Sequence, residues 1–504
     1  MKKSKIIIML FMAIMLVATL NISVFAAVTG NGETSATKTD LTPGALGTLT
    51  VAGAEATDTF TAYEVMKVEY NQTTNELTYT PSAAFTAFLA GANIANVTTF
   101  AQYQALTDEA TVKSVLGKFA AYVKANNVAS SFTLTGNDTN SSVPVGQYVL
   151  TGAATTAKVF QVMTASYPVT VENGKYVYNK DVTINVKSDT PSITKTTTKK
   201  SVAIGDTVPY TVTATVPTYP EDATNKTFQI QDTMSAGLSF KNDVVVTANG
   251  TQLTVNRDYT VTSNQIADGK TSIEIDFVYN NIKAYQQLEV TYSATVNMDA
   301  VFVDNSASTN SAQLVFSNDP YGNTTTGTTP TTPTNTTTVY TYGFETTVTD
   351  ATDPTKKLSN VEFEVYDNQG NPLTFTQQPN GTYIYDPNGT VTTLTTDANG
   401  KIRVDGLDLG EYELKETKTN PGYQLPGTNF PVSLTDVNND GKLDNDPDDN
   451  NIRDLTITNA PITTVLPQTG GIGTYVFVIA GLGVMIVAVT AIIIIEKKAK
   501  RKRS

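Results

Sequence analysis

The 504 residues contain no cysteine, no histidine and no tryptophan. Without cysteine there are no disulfides and no thiol nucleophile, so any covalent brace has to come from other side chains. Without histidine the chain lacks the side chain that titrates nearest neutrality and the commonest transition-metal ligand. Positive charge is scarce as well. Lys and Arg number 34 against 47 Asp and Glu, for a net charge of -13. Lys2, Lys3 and Lys5 supply three of the positive charges, and the last nine residues supply a net five. The stretch between therefore carries -21. That sign argues against a nucleic-acid partner. No nucleotide-binding glycine motif of the G-x-G-x-x-G or P-loop type is present, and no convergent catalytic set is found. The composition points to a non-enzymatic protein with no resident cofactor.

What is present begins at the two ends. Lys2, Lys3 and Lys5 precede an apolar run from Ile6 to Leu20, and Val24-Phe25-Ala26 follows. A basic start, an apolar core and small residues at a cleavage position make residues 1–26 a secretory leader. The other end carries Leu466-Pro467-Gln468-Thr469-Gly470, then an uncharged apolar run over 475–495, then six Lys and Arg between Lys497 and Arg503. Such a run is long enough to cross a hydrocarbon core of roughly 30 Å, and the basic tail stays inside. The three parts in this order, over 466–504, resemble the cell-wall sorting signal of Gram-positive surface proteins. The resemblance implies that a sortase cuts between Thr469 and Gly470 and joins Thr469 to an amine. The protein is then secreted, held briefly in the membrane, and attached covalently to the wall.

Between the ends, the length suggests about three domains. Residues 27–189 form a first region that mixes strands (48–51, 60–65) with a helix. Val112, Leu116, Phe119 and Val123 recur at helical spacing, with Asp108 and Glu109 in the first turn. Residues 190–320 alternate. Val208, Tyr210, Val212, Ala214 and Val216 face one way, and Leu288, Val290, Tyr292, Ala294 and Val296 repeat the pattern. That period belongs to antiparallel strands of a β-sandwich. Residues 321–338 read as a Thr/Pro linker. Residues 339–463 read as a second sandwich, with Val361, Phe363 and Val365 on one face. The expected fold class is mainly β: tandem Ig-like, Cna-B-type sandwiches, some helix in the first domain, and a C-terminal transmembrane helix.

Four segments carry a family resemblance. Pro191–Lys195, Ile204–Val208, Asp232–Leu238 and Phe316-Ser317-Asn318-Asp319-Pro320 resemble the isopeptide-forming D2 domain of Gram-positive major, or backbone, pilins. In 339–463, Tyr412-Glu413-Leu414-Lys415-Glu416-Thr417 followed by Gly422-Tyr423 is similar to the E-box of pilin Cna-B domains. Thr419-Asn420 stand where Ala-Pro is usual. The resemblance implies a chemistry. A lysine on the first strand attacks a side-chain amide on the last, assisted by a buried acid, and ammonia leaves. A lysine is nucleophilic only when neutral, which burial favours. The same burial keeps the acid protonated, able to polarise the amide and shuttle protons. By motif position the resemblance assigns Lys195 as nucleophile, Asn318 as acceptor and Asp232 as helper. In the third domain Glu416 matches the acid and Asn459 the acceptor, but Val348 occupies the lysine slot, so no crosslink is expected there.

Backbone pilins also carry a lysine that receives the sortase-held threonine of the next subunit. The stretch from Tyr178 to Lys187 is similar to that motif, with Tyr178 for Trp and Asn185-Val186 for Tyr-Pro. It nominates Lys187, with Lys180 as fallback. Two functions follow from different classes. One is a covalent shaft built by joining Thr469 to Lys187. The other is a monomeric wall-anchored adhesin that binds a host ligand. Implied partners are a pilus-class and a housekeeping sortase, other copies of the chain, peptidoglycan and, in an assembled fibre, minor pilins. Asp436, Asn438, Asp440 and Asp444 occupy the first, third, fifth and ninth places of a calcium loop, with Gly441 at the sixth but Pro447 at the twelfth. The loop reads either as a weak Ca2+ site or as an acidic turn.

Overall fold

The protein is described by a computed structural model covering residues 38–462 and 473–501, except 92–93, 95, 154–156, 302–306, 323–330, 445, 447 and 449. The expected leader, 1–26, and Leu466–Gly470 lie outside the described residues.

In the first region β1 (Leu46–Ala52) and β2 (Thr59–Asn71) belong to different sheets that share an apolar interior. The helix α1 (Glu109–Ala125) starts where the sequence places it. Asp108 is the N-cap and its carboxylate accepts from the Thr111 N–H at 2.8 Å, which satisfies one of the orphan amides of a first turn. Val112, Leu116, Phe119 and Val123 are buried against Tyr63 and Val65 of β2 and Val149 of β3 (Gly146–Ala153). The region closes with β4 (Asp181–Asn185), which runs parallel to β1 from Asp181↔Thr48 to Asn185↔Ala52. The chain leaving β4 is thereby held against the region's first sheet.

The second region is a two-sheet sandwich. β5 (Ile193–Thr197), β6 (Thr207–Thr215) and β8 (Gln287–Val296) lie side by side in one sheet. In the other, β7 (Phe228–Met234) pairs with β9 (Ser308–Phe316), and β9 pairs with β10 (Asn335–Val339). The expected alternation holds: Val208, Tyr210, Val212 and Ala214 of β6 are buried, as are Leu288, Val290, Tyr292, Ala294 and Val296 of β8. One boundary moves. Residues 335–338, expected in the linker, form the edge strand β10, from Ala312↔Asn335 to Ser308↔Val339. β-Branched threonines suit a strand once a partner edge is free.

In the third region β11 (Tyr342–Asp350) is flanked by β13 (Lys401–Leu407) and β15 (Ile452–Asn459). β12 (Glu362–Asp367) and β14 (Gly410–Lys418) lie in the facing sheet. The first and last strands, β11 and β15, are parallel neighbours from Gly343↔Ile452 to Asp350↔Asn459. The helix α2 (Gly473–Arg501) contains a 22-residue segment, Phe477–Lys498, whose apolar 18-residue window has a mean hydropathy of 3.0, long enough to cross a membrane.

The two sandwiches are joined by backbone hydrogen bonds. Tyr340 N donates to Lys200 O at 2.8 Å, Val202 N to Tyr340 O at 3.0 Å, and Ile204 N to Gly406 O at 3.0 Å. Gly441 packs against the Tyr340 ring with φ 89°, and a Cβ there would lie 2.3 Å from that ring. Both strain and collision oppose any side chain at this position. Gly441→Ala is expected to destabilise the third region and its docking by about 1–3 kcal/mol. Calorimetry of the purified chain checks this, and an unchanged melting profile contradicts it.

Candidate functional site

The deepest polar cluster lies between the sheets of the second region. Lys195, on β5, is 4 % exposed, Asp232, on β7, is 1 % exposed, and Asn310, on β9, is 0 % exposed. Each points inward because strand alternation puts it in an otherwise apolar row: Ile193 beside Lys195, Ile230 and Met234 around Asp232, Ala312 and Leu314 beyond Asn310. Lys195 Nζ contacts both Asp232 Oδ2 and the Tyr292 hydroxyl. The Tyr292 hydroxyl donates to Asp232 Oδ2 at 2.6 Å and accepts from Asn310 Nδ2 at 3.1 Å. The Lys195 Nζ also sits 5.2 Å from the Tyr210 ring centre and 5.0 Å from that of Tyr292. These two rings stack with centroids 5.5 Å apart.

Burial decides the ionisation of the pair. It pulls the Lys195 ammonium down to about 8, against the opposing effect of Asp232. It pushes the Asp232 carboxyl up, against the opposing effect of Lys195. Both shifts favour a neutral amine beside a neutral acid, since two charges in a dry core cost more than their attraction returns. Unpaired atoms agree. Asp232 Oδ1 and Asn310 Oδ1 are buried without a hydrogen-bond partner. An un-ionised Asp232 has a proton to donate, and the Asn310 carbonyl oxygen is a buried acceptor lacking one. The cluster thus holds a nucleophile, an acid and a primary amide in a site closed to solvent.

The structure brings Lys195 and Asp232 together, as the resemblance implies, but with Asn310 rather than Asn318. Asn318 lies past the end of β9, in a turn where Thr224 N and Asn225 N donate to Pro320 O. Lys195 is level with Ala312: its N–H donates to Asn335 Oδ1 at 2.9 Å, and Asn335 pairs with Ala312. Six residues of extended strand, roughly 20 Å at ~3.3 Å each, separate that level from Asn318. The signal for Asn310 was the alternation of β9, where Ser308, Asn310, Ala312, Leu314 and Phe316 all face inward.

The third region holds the same pairing without an amine. Asn459, 0 % exposed, donates from Nδ2 to Glu416 Oε1 at 2.7 Å and to Thr419 Oγ1 at 2.7 Å. Glu416 Oε2 and Asn459 Oδ1 are both buried and unpaired, and burial raises the Glu416 carboxyl. A protonated Glu416 closes an acid–amide ring with both oxygens satisfied. Val348 fills the core at its level of β11, paired with Ile457. Lys356 instead lies near Asp350, at 3.7 Å, and over the Tyr423 ring. Of the other E-box residues, the Tyr412 hydroxyl donates to Asp408 O at 2.8 Å, Leu414 enters the core, and the Thr417 hydroxyl donates to Glu362 O at 3.3 Å.

Lys187 is exposed, two residues past β4 and at the rim of a cleft of about 390 Å³. Leu116 and Gly117 of α1, Pro220–Asp222 of the second region and Tyr321 line the cleft. Lys180 is exposed between the strand Lys175–Asn179 and β4, and its carbonyl accepts from Thr48 N. In the acidic loop Asp436 accepts from Asp440 N and Gly441 N, Asp440 from Lys442 N, and Asp444 from Val437 N. Among the described residues no group of three acidic side chains is placed to hold a metal ion. These carboxylates order the turn's own backbone.

Three family models match the chain. Residues 204–320 match the Cna-B-like domain of Gram-positive pilin backbone subunit 2, residues 345–447 a prealbumin-like fold domain, and residues 459–504 the LPXTG cell wall anchor motif. The trypsin-resistant surface T6 protein of Streptococcus pyogenes serotype M6 is 25% identical over 407 residues, 64% of this chain and 72% of that protein. Two solved structures share the fold. The T6 backbone pilin of S. pyogenes has a TM-score of 0.60 at 18% identity, covering 84% of this chain and 100% of that one. The full-length major pilin SpaD of Corynebacterium diphtheriae has a TM-score of 0.52 at 19% identity, covering 84% and 99%.

Glu416 gives the third region a pH dependence of definite sign. Its folded value is raised, so the folded state binds the proton more tightly than the unfolded state. The stabilisation is complete below the ordinary glutamate range and is lost as pH rises through the raised folded value. Melting of the chain and of Glu416→Gln across this range measures the term. The difference between the two is expected to be pH-dependent, with wild type losing stability as pH rises relative to the variant. Parallel curves contradict it.

Proposed function

Starting from a Gram-positive backbone pilin with an LPXTG wall anchor, we infer how this chain is joined, to itself and to its neighbours. The protein is a structural subunit of a sortase-assembled pilus on the cell wall, with a transient membrane stage held by α2. In our reading the sortase-held Thr469 of one subunit is transferred to Lys187 of the next. Lys187 suits this because it is solvent-exposed at the junction of the first two regions and opens on a cleft that can receive an extended peptide.

Within each subunit, Lys195 and Asn310 form an amide. The observation that carries this is the contact of both nitrogens, Lys195 Nζ and Asn310 Nδ2, with one hydroxyl beside a buried acid. The neutral amine attacks Cγ of Asn310. Asp232 supplies the proton that stabilises the developing oxyanion and takes it back when the carbonyl re-forms. The C–Nδ2 bond breaks and ammonia leaves. The third region, with Val348 in place of an amine, carries no such bond. Polymerisation is the work of a pilus-class sortase, and a housekeeping sortase attaches the base to peptidoglycan. Minor pilins and a host ligand are additional partners of the assembled fibre.

A denaturing immunoblot of wall extracts tests the intermolecular joint. A ladder that survives boiling is expected in wild type and its collapse to monomer in Lys187→Ala. A ladder persisting in the variant moves the joint, first to Lys180. A single band in both strains leaves a monomeric anchored adhesin. Peptide mapping tests the internal joint: the Lys195 and Asn310 peptides are expected to be linked, with loss of one ammonia. The link should persist in Asn318→Ala and vanish in Asn310→Ala. The reverse pattern contradicts the assignment.

A further inference from the structure

The internal amide leaves one step unassigned. After attack, the new bond carries a proton on Nζ that must go, while Nδ2 needs one to depart as ammonia. In the reading above the Asp232 proton serves the carbonyl oxygen, and histidine, the usual shuttle, is absent from the chain. The buried hydroxyl of Tyr292 meets all three partners. It contacts Lys195 Nζ, accepts from Asn310 Nδ2 at 3.1 Å and donates to Asp232 Oδ2 at 2.6 Å. Tyr210, stacked beside it and also near Lys195, hydrogen-bonds Asn310 but has no hydrogen bond to Asp232 among those described.

We propose that Tyr292 is a catalytic residue of the internal amide bond, relaying the proton from the attacking Lys195 nitrogen to the departing Asn310 nitrogen. This rests on the Lys195–Asn310 reading above. The Nζ lone pair forms the bond to Cγ and the carbonyl π pair moves to Oδ1, which takes the Asp232 proton. The Tyr292 oxygen accepts the surplus proton from Nζ as its own hydroxyl proton passes to Nδ2. The C–Nδ2 electron pair then leaves with nitrogen, ammonia departs, the carbonyl re-forms and Asp232 regains its proton. Tyr292 ends as it began, and one amine plus one primary amide have become one secondary amide plus ammonia. A single hydroxyl between the two nitrogens suits this exchange, because it takes one proton as it gives another and so acquires no charge of its own in the dry core.

The geometry also constrains what replaces it. Phenylalanine keeps the ring stack with Tyr210 and removes the relay. The position lies on the central strand β8, opposite Tyr210, so the sandwich itself has little reason to change.

Pulse-labelled full-length chains, chased and digested, give the rate at which the linked peptide appears. Tyr292→Phe is expected to slow bond formation by about a hundredfold or more, and Tyr259→Phe, in the same core but with its hydroxyl on Val244 O, to leave it near the wild-type rate. Bond formation in Tyr292→Phe at the wild-type rate overturns the relay. Should Tyr292→Phe fail to fold, 3-fluorotyrosine at 292 keeps the ring and hydroxyl but makes the phenol more acidic. A changed rate with a shifted pH profile supports the relay, and an identical profile overturns it. A wild-type chain that never loses ammonia overturns the amide reading beneath it. An intact wild-type bond with an unaffected Tyr292→Phe removes only the relay.

Discussion

Exclusion of water from Lys195 and Asp232 is the constraint on which the second sandwich depends. In water the two would be an ordinary ion pair, chemically inert. Burial at 4 % and 1 % exposure turns them toward amine and acid. The apolar rows of β5 to β9 therefore do two jobs. They supply the packing that holds the sandwich together, and they set the protonation that makes its polar centre reactive. A chain without cysteine has to find its covalent brace elsewhere, and this is the place in the described residues where a nucleophile meets an amide.

The placement of that brace has a mechanical meaning. On the proposed joints, tension enters a subunit at Lys187 and leaves at Thr469. Residues before 187, the whole first region, then lie off the line of load. A bond from Lys195 on β5 to Asn310 on β9 carries the load past the interior of the second sandwich. The load continues along the chain through β10, which pairs with the edge of β9, and on into β11. In the third region the load falls between β11 and β15, parallel neighbours in register over Gly343↔Ile452 to Asp350↔Asn459. Pulling the start of one against the end of the other shears all these hydrogen bonds together, so the third region resists by cooperativity where the second resists by covalency. Its acid–amide pair, Glu416 with Asn459, pins the end of β15 to β14 without linking it to β11.

Much of this was legible in the residues because periodicity survives folding. The alternations over 207–216 and 288–296 became β6 and β8, and the spacing of Val112, Leu116, Phe119 and Val123 became the buried stripe of α1. What was not legible depended on partners distant in sequence. Residues 335–338 have a linker's composition, and only the open edge of β9 makes them a strand. The resemblance assigns the acceptor by motif position to Asn318, which lies past the end of β9. The reactive amide sits at an inward position of the strand itself, which the β9 alternation identifies once Lys195 is known to be level with Ala312. The Asp436–Asp444 spacing shows a loop rich in carboxylates, while the backbone N–H groups they accept from become visible only in the folded turn.

The central claim, that a covalent bond spans the second sandwich, is tested most directly by stretching one molecule. The chain has no native cysteine, so cysteines placed at 187 and 469 give unique handles along the proposed line of load. With the bond in place, the 115 peptide steps from Lys195 to Asn310, roughly 400 Å of chain at ~3.6 Å per step, never extend, and the lengthening seen comes from the chain beyond Asn310. Release of that hidden length from the wild-type chain would contradict the account.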